Sequence, residues 1–245
     1  MRLTALLKDA VWPQRPTPHP LITRNHQQFK RGEKYPRLLE EYEFVVFDTE
    51  LTGLDSKEDE IIAIGAVRIK GLRIICGETF YALVRPNGRF QTSSTLVHRL
   101  TPQELHKAAG IEEILPRFLE FCGNAFLVGH FVRLDLEFIN RAASKHLGGI
   151  LQTPYLDTML LAMAYYDLDH GSYGDHYNRQ GTYTLAALSA EHGLPSFAEH
   201  NALQDSLQTA YLFLFLTKKM RNLGIRTMND SLAAGLSRHS PWWSF

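Results

Sequence analysis

Residues 43–55, EFVVFDTELTGLD, decide the fold. Phe44 to Thr49 is an apolar run rich in aromatic and β-branched side chains, which predicts a strand. Side chains two apart on a strand share a face, so Asp48 and Glu50 point the same way as Phe44 and Val46. Two like charges on one face repel, and carboxylates beside apolar neighbours are costly to desolvate. A divalent cation between them removes both penalties. The alternative is that the strand has already ended and both acids are solvated. Gly53 lets the chain turn tightly away and brings backbone close to a ligand.

Working outward, Ile61–Ile69 and Arg73–Val84 read as two more strands, and Gly71 between them predicts an antiparallel meander. Helical periodicity appears at Ile111, Ile114, Leu115, Phe118 and Leu119. A short strand, Ala125–Gly129, precedes a helix over Val132–Leu147. A strand near Tyr155 and Leu156 leads into a helix over Thr158–Tyr166. Residues 167–182, rich in Gly, Tyr, His and Asp, read as a loop, and helices over Leu185–His192 and Ala202–Met220 close the domain. Three meandering strands followed by alternating helices and strands predict an α/β fold, a mixed five-stranded sheet flanked by helices.

The domain so defined spans residues 41–222. Before it, residues 1–40 look like an appendage. A short amphipathic start, Met1 to Val11, runs into Pro13, Pro16, Pro18 and Pro20 and a polar basic stretch. Proline at that density predicts a linker or a strap without regular structure. Residues 223–245 read as a C-terminal tail whose Trp242 and Trp243 dock on the protein's own surface in preference to the alternative, a partner's surface. The 245-residue chain has room for one ordinary α/β domain plus these extensions. Its 44% hydrophobic and 21% charged residues are those of a soluble globular protein. Formal net charge is zero, so any basic groove has to be local. Cys76 and Cys122 lie in apolar stretches and form neither a disulfide framework nor a zinc spacing; buried thiols in a reducing cytoplasm are expected. With no membrane-length apolar run and no signal-peptide core, a cytoplasmic protein with no membrane partner is the expectation.

Two other segments carry acids in unexpected places. In LVGHFVRLDLEFIN (127–140), Asp135 shares a helical face with Phe131, Phe138 and Ala142. An aspartate in that apolar stripe needs either a core arginine or a metal ion. In HNALQD (200–205), Asp205 lies in the first turn of a helix, where the helix dipole already favours an acid. His200 and Asn201 could be no more than helix-entry residues. The order and residue types of all three segments make the set more specific than its members.

Those segments resemble the Exo I, Exo II and Exo III motifs of DEDDh (DnaQ-like) 3′–5′ exonucleases, of the ribonuclease H-like superfamily, the group that includes the epsilon proofreading subunit of DNA polymerase III. The likeness runs from about Glu43 to Leu216. DEIIAIGAVRI (59–69), LVHRLTPQEL (96–105), LDTMLLA (156–162) and YTLAALSAEHGLP (183–195) agree with it. The resemblance implies that Asp48 bridges two Mg²⁺ or Mn²⁺ ions. Glu50 and Asp205 would complete one site and Asp135 would serve the other. An oxygen-only set suits such hard cations better than zinc, and paired ions clamp the attacking and leaving oxygens. By the same likeness His200 takes the proton of the attacking water. Leu51, Thr52, His98, His130 and Phe131 would line the pocket of the terminal nucleotide.

The implied reaction releases nucleoside 5′-monophosphates from 3′ ends of single-stranded nucleic acid, DNA in preference to RNA, as a free-standing enzyme or beside a DNA polymerase. An RNA or short-oligonucleotide trimming enzyme of the same family is the alternative, since 2′-OH recognition rests on pocket details rather than on metal ligands. A non-catalytic scaffold is a different class, and it has no physical use for four clustered acids. The chain departs from the family at Leu51, where Thr is common, at Phe131, where Asn is common, and at Leu134, where an aromatic is common. None of these removes an implied metal ligand. All three touch the substrate pocket, and an aromatic at 131 could stack on a base.

Overall fold

The computed structural model describes residues 17–88, 100–170, 183–197 and 200–236. Strands β1 (Glu43–Leu51), β2 (Ile61–Lys70) and β3 (Arg73–Leu83) form the expected antiparallel meander. The β2–β3 connection turns at Gly71 and Leu72, both at φ 55, the left-handed geometry that a two-residue hairpin requires. Ahead of the meander lies helix α1 (Pro20–Gln28), and after it come the short helix α2 (Pro102–Lys107) and helix α3 (Ile111–Cys122). Next are β4 (Phe126–Gly129), α4 (Arg133–Leu147), β5 (Tyr155–Asp157) and α5 (Thr158–His170). Helices α6 (Leu185–Glu191), α7 (Ala202–Asn222) and α8 (Met228–Leu236) complete the order. The sheet runs β3-β2-β1-β4-β5, with β4 and β5 parallel to β1, as the mixed five-stranded reading expects.

Alternation along β1 divides the core in two. Phe44 and Val46 pack with Phe126, Phe213 and Leu216 on the α7 side. Val45 and Phe47 pack with Phe118, Phe138 and Ile139 on the α3–α4 side. A strand apolar on both faces is what a central sheet position needs, and it leaves Asp48 and Glu50 facing the α7 layer.

The described parts of both extensions carry helices that the sequence reading did not expect. Helix α1 lies in the supposed strap, with Pro20 at its first turn, where the missing N–H is not needed. Ile22 and Phe29 are fully buried. Asn25 Oδ1 accepts the Gln152 amide at 2.7 Å, and the Tyr35 amide donates to Asn229 Oδ1 at 2.7 Å. The segment is thus hydrogen-bonded to both the loop after α4 and the start of α8. Helix α8, in the span read as a tail, buries Met228. Residues 167–170 of the expected loop are helical, since α5 runs to His170, and residues 171–182 lie outside the described residues. Cys122 is buried as expected, whereas Cys76, on edge strand β3, is exposed. Residues 1–16 and the Trp242–Trp243 pair lie outside the described residues. Among the described residues no helix is long and apolar enough to cross a membrane.

Candidate active site

The carboxylates meet at the end of β1. Pairing with β4 covers only Phe44 to Val46. Beyond it the Thr49 amide donates to Asp135 Oδ1 at 3.0 Å, and the Thr49 hydroxyl donates to the same oxygen. Helix α4 thereby brings its third residue into the gap where β1 and β4 part. Such a gap beyond the carboxyl ends of parallel strands, between helices on opposite faces, is where α/β sheets bind ligands.

Asp205 arrives from the other face. Asp48 pairs with Gly65 of β2. A Cβ at Gly65 would come within 2.2 Å of the Ala202 carbonyl carbon and the Leu203 nitrogen. Only glycine lets the first turn of α7 sit this close to the sheet. Asn201 caps that turn by accepting the Gln204 amide at 3.2 Å, and Asp205 Oδ2 accepts the Asn201 amide at 3.2 Å. As a result one oxygen each from Asp48, Glu50 and Asp205 lie within 4.8 Å of one another.

The electrostatics of this arrangement are unfavourable without a cation. Burial, then the charges of Asp135, Asp205 and Glu50, hold the Asp48 carboxyl well above its usual range. Burial pushes Asp135 up to about 7 despite the hydrogen bonds from Thr49. Burial and the neighbouring Glu50 push Asp205 up to about 6. Among Asp48's like-charged neighbours Asp135 weighs most, although it stands outside the close trio. Asp48 therefore has like-charged neighbours both inside the trio and outside it. An all-oxygen donor set of this density fits hard divalent ions. Among the described residues no core arginine is bonded to Asp135, whose side-chain hydrogen bonds come from Thr49.

His200 is exposed, at φ 63, immediately before the cap of α7, near enough for its charge to act on Asp205. Leu51 is buried, and Thr52 donates to Asp59 Oδ1 at 2.9 Å while accepting the Glu60 amide at 3.0 Å. Gly53 makes room for that Asp59 carboxylate, 2.4 Å from where its Cβ would stand, rather than for a ligand. His98 lies outside the described residues. His130 has both ring nitrogens engaged, with Thr158 Oγ1 and the Tyr183 carbonyl, each at 2.9 Å. Burial pushes its pKa down to about 4.

Phe131 departs from the expected helical stripe. It precedes α4, at φ 54, and is 45% exposed. A bulky residue in the left-handed region is strained and needs its surroundings to hold it. Asp157 does so: its carboxylate accepts the amides of Phe131 at 3.0 Å, Val132 at 3.1 Å and Met159 at 2.9 Å. Asp157 thus ties β5 to the start of α4 and fixes where Asp135 emerges. Sequence reasoning passed over both Asp157 and Gly65. The only signal was an acid in the apolar segment LDTMLLA and a glycine inside a strand pattern.

Comparison with known proteins follows the same lines. The sequence model of the RNase_T family, described as exonuclease, matches residues 45–213. A DNA polymerase III subunit epsilon-like protein of Rhodobacter capsulatus is 37% identical over 197 residues, 79% of this chain and 26% of its own length. The DNA polymerase III subunit epsilon of Aquifex aeolicus is 32% identical over 72% of this chain and 81% of its own. A PolC-type DNA polymerase III of Thermotoga petrophila is 32% identical over 82% of this chain. The chain spans only 14% of that PolC-type relative. Among solved structures, exonuclease X in complex with 5′-overhanging duplex DNA superposes with a TM-score of 0.56 at 22% identity. It covers 78% of this chain and 99% of its own. A zinc-bound complex of E. coli exonuclease I with single-stranded DNA gives 0.64 at 18% identity, covering 75% of this chain and 42% of its own.

Proposed function

Because the chain belongs to the RNase_T exonuclease family, we propose that it hydrolyses the 3′-terminal phosphodiester of single-stranded DNA and releases nucleoside 5′-monophosphates. The observation that carries this reading is the trio of Asp48, Glu50 and Asp205 oxygens within 4.8 Å, flanked by buried Asp135. Asp48 would be shared by two Mg²⁺ or Mn²⁺ ions, with Glu50 and Asp205 on one and Asp135 on the other. When bound, such ions stabilise the charge that develops on the phosphoryl oxygens and ease ionisation of the attacking water.

The chain's own residues do the rest. His200, exposed at the entry to α7, takes the proton from the attacking water and returns it to solvent. Leu51 and Thr52 border the terminal sugar. Phe131, held outward, stacks on a base. Relatives named as polymerase subunits support DNA over RNA and a place beside a polymerase.

The test uses 5′-labelled single-stranded DNA, duplex DNA and RNA with Mg²⁺, Mn²⁺ or EDTA, next to an Asp48→Ala variant. Laddering from the 3′ end, abolished by EDTA and by the variant, is expected, and Phe131→Ala should raise KM for the single strand. Cleavage that survives EDTA or Asp48→Ala refutes the two-ion assignment. An unchanged KM for Phe131→Ala removes the stacking role.

A further inference from the structure

Helix α4 carries more than Asp135. On the α3–α4 side of the sheet it walls a separate cleft of about 380 Å³, lined by Lys57, Arg85, Arg141 and Lys145, with Glu58 and Glu60. Four fixed cations face two carboxylates there, in a chain of zero formal charge. One of the two acids is already engaged: Glu60 accepts the amides of Asn87 at 2.7 Å and Gly88 at 2.9 Å. Arg85 donates to the Ala108 carbonyl at 3.2 Å, and Arg141 donates to the Asp59 carbonyl while lying over the Phe138 ring. Both guanidiniums are therefore held by neutral partners, with most of their five donors left over. Ion pairs among the described residues occupy other cations, namely Arg68, Lys70, Arg117 and Arg221. Lys57 and Lys145 are exposed.

Position gives the cleft its meaning. Arg141 and Lys145 follow Asp135 by six and ten residues on one helix, roughly 9 and 15 Å along its axis. The opposite wall, Glu60 and Ile61, is bonded to the end of β1: the Thr52 amide donates to the Glu60 carbonyl at 2.9 Å, and Leu51 pairs with Ile61. The cleft thus starts beside the carboxylate cluster on both of its walls. A stacked strand rises about 3.4 Å per nucleotide, which puts these cations about three to four nucleotides from the scissile bond.

We propose that this cleft binds the phosphate backbone of the substrate strand upstream of its 3′ end; the proposal rests on the nuclease reading above. It sets how many nucleotides the protein grips, separately from the hydrolytic step. The test compares wild type with Lys57→Gln/Lys145→Gln on two substrates, a 12-nucleotide single strand and the 5′-p-nitrophenyl ester of thymidine monophosphate. The double variant should raise KM for the 12-mer about tenfold and flatten the plot of log KM against log salt by about 0.7 for each phosphate no longer neutralised. Turnover of the nitrophenyl ester should stay at the wild-type value. An unchanged KM and salt slope for the 12-mer, with wild type active on both substrates, overturns the cleft. Failure of wild type to degrade the 12-mer with Mn²⁺ overturns the nuclease reading instead.

Discussion

Replacing Asp135 with asparagine should abolish hydrolysis and, without divalent ions, make the protein more stable. Burial of the Asp135 carboxyl, which is 7% exposed, pushes its pKa up to about 7 from an ordinary 3.8. A carboxyl whose pKa is raised on folding binds its proton more tightly in the native state. Stability is then highest below the unfolded value and is lost as pH rises from about 4 to about 7. Converted at about 1.36 kcal/mol per pKa unit, the burden is about 4 kcal/mol at pH 8 and about 2 kcal/mol at pH 5. Asparagine keeps an oxygen for the Thr49 amide and hydroxyl, and its NH₂ can donate toward Asp48. Reorganisation absorbs part of the gain, so about 2 kcal/mol at pH 8 is expected, or roughly 4–8 °C in Tm for a chain of this size. The assay is thermal unfolding of both proteins in EDTA at pH 5 and pH 8, repeated with saturating Mn²⁺. Wild type should gain more from the ion than Asp135→Asn does, because binding to the native state alone stabilises it. A variant less stable than wild type in EDTA at pH 8 refutes the electrostatic account. A gain equal at both pH values would trace it to packing instead.

Two further substitutions separate positioning from chemistry. Gly65→Ala should leave the sheet folded, lowering stability by about 1–3 kcal/mol through overpacking. It should cut kcat by about 100-fold as α7 is pushed off the sheet and Asp205 drawn from Asp48; circular dichroism melts with wild-type kcat would refute this. Asp157→Ala strips the acceptor from three backbone amides, and urea denaturation should show a loss of about 2–4 kcal/mol. Unchanged stability would mean that the Phe131 turn holds itself.

What could be read in the sequence was whatever depends on local pattern. The apolar run of β1 marked a strand, and charge on that pattern marked Asp48 and Glu50. Asp135 stood out because a helix face made it expensive. What escaped notice acts through backbone between distant segments: Gly65 matters for its closeness to Ala202, and Asp157 for the amides of Phe131 and Val132. Neither leaves a periodicity. Phe131 does not continue the helical face of Asp135 on which its spacing put it, because its left-handed φ is imposed by Asp157 and not by its own preference. The proline-rich start concealed a helix, since Pro20 sits at the one helical position that tolerates it.

The four acids ride on different bodies. Asp48 and Glu50 belong to the sheet, Asp135 to a helix seated in the Phe47–Phe118 core, and Asp205 to one seated in the Phe44–Phe213 core. The carboxylate spacing is consequently a caliper reading of the distance between two independently packed layers. Repacking either layer shifts that reading before it unsettles the fold, so a metal titration registers core substitutions that a melting curve passes over.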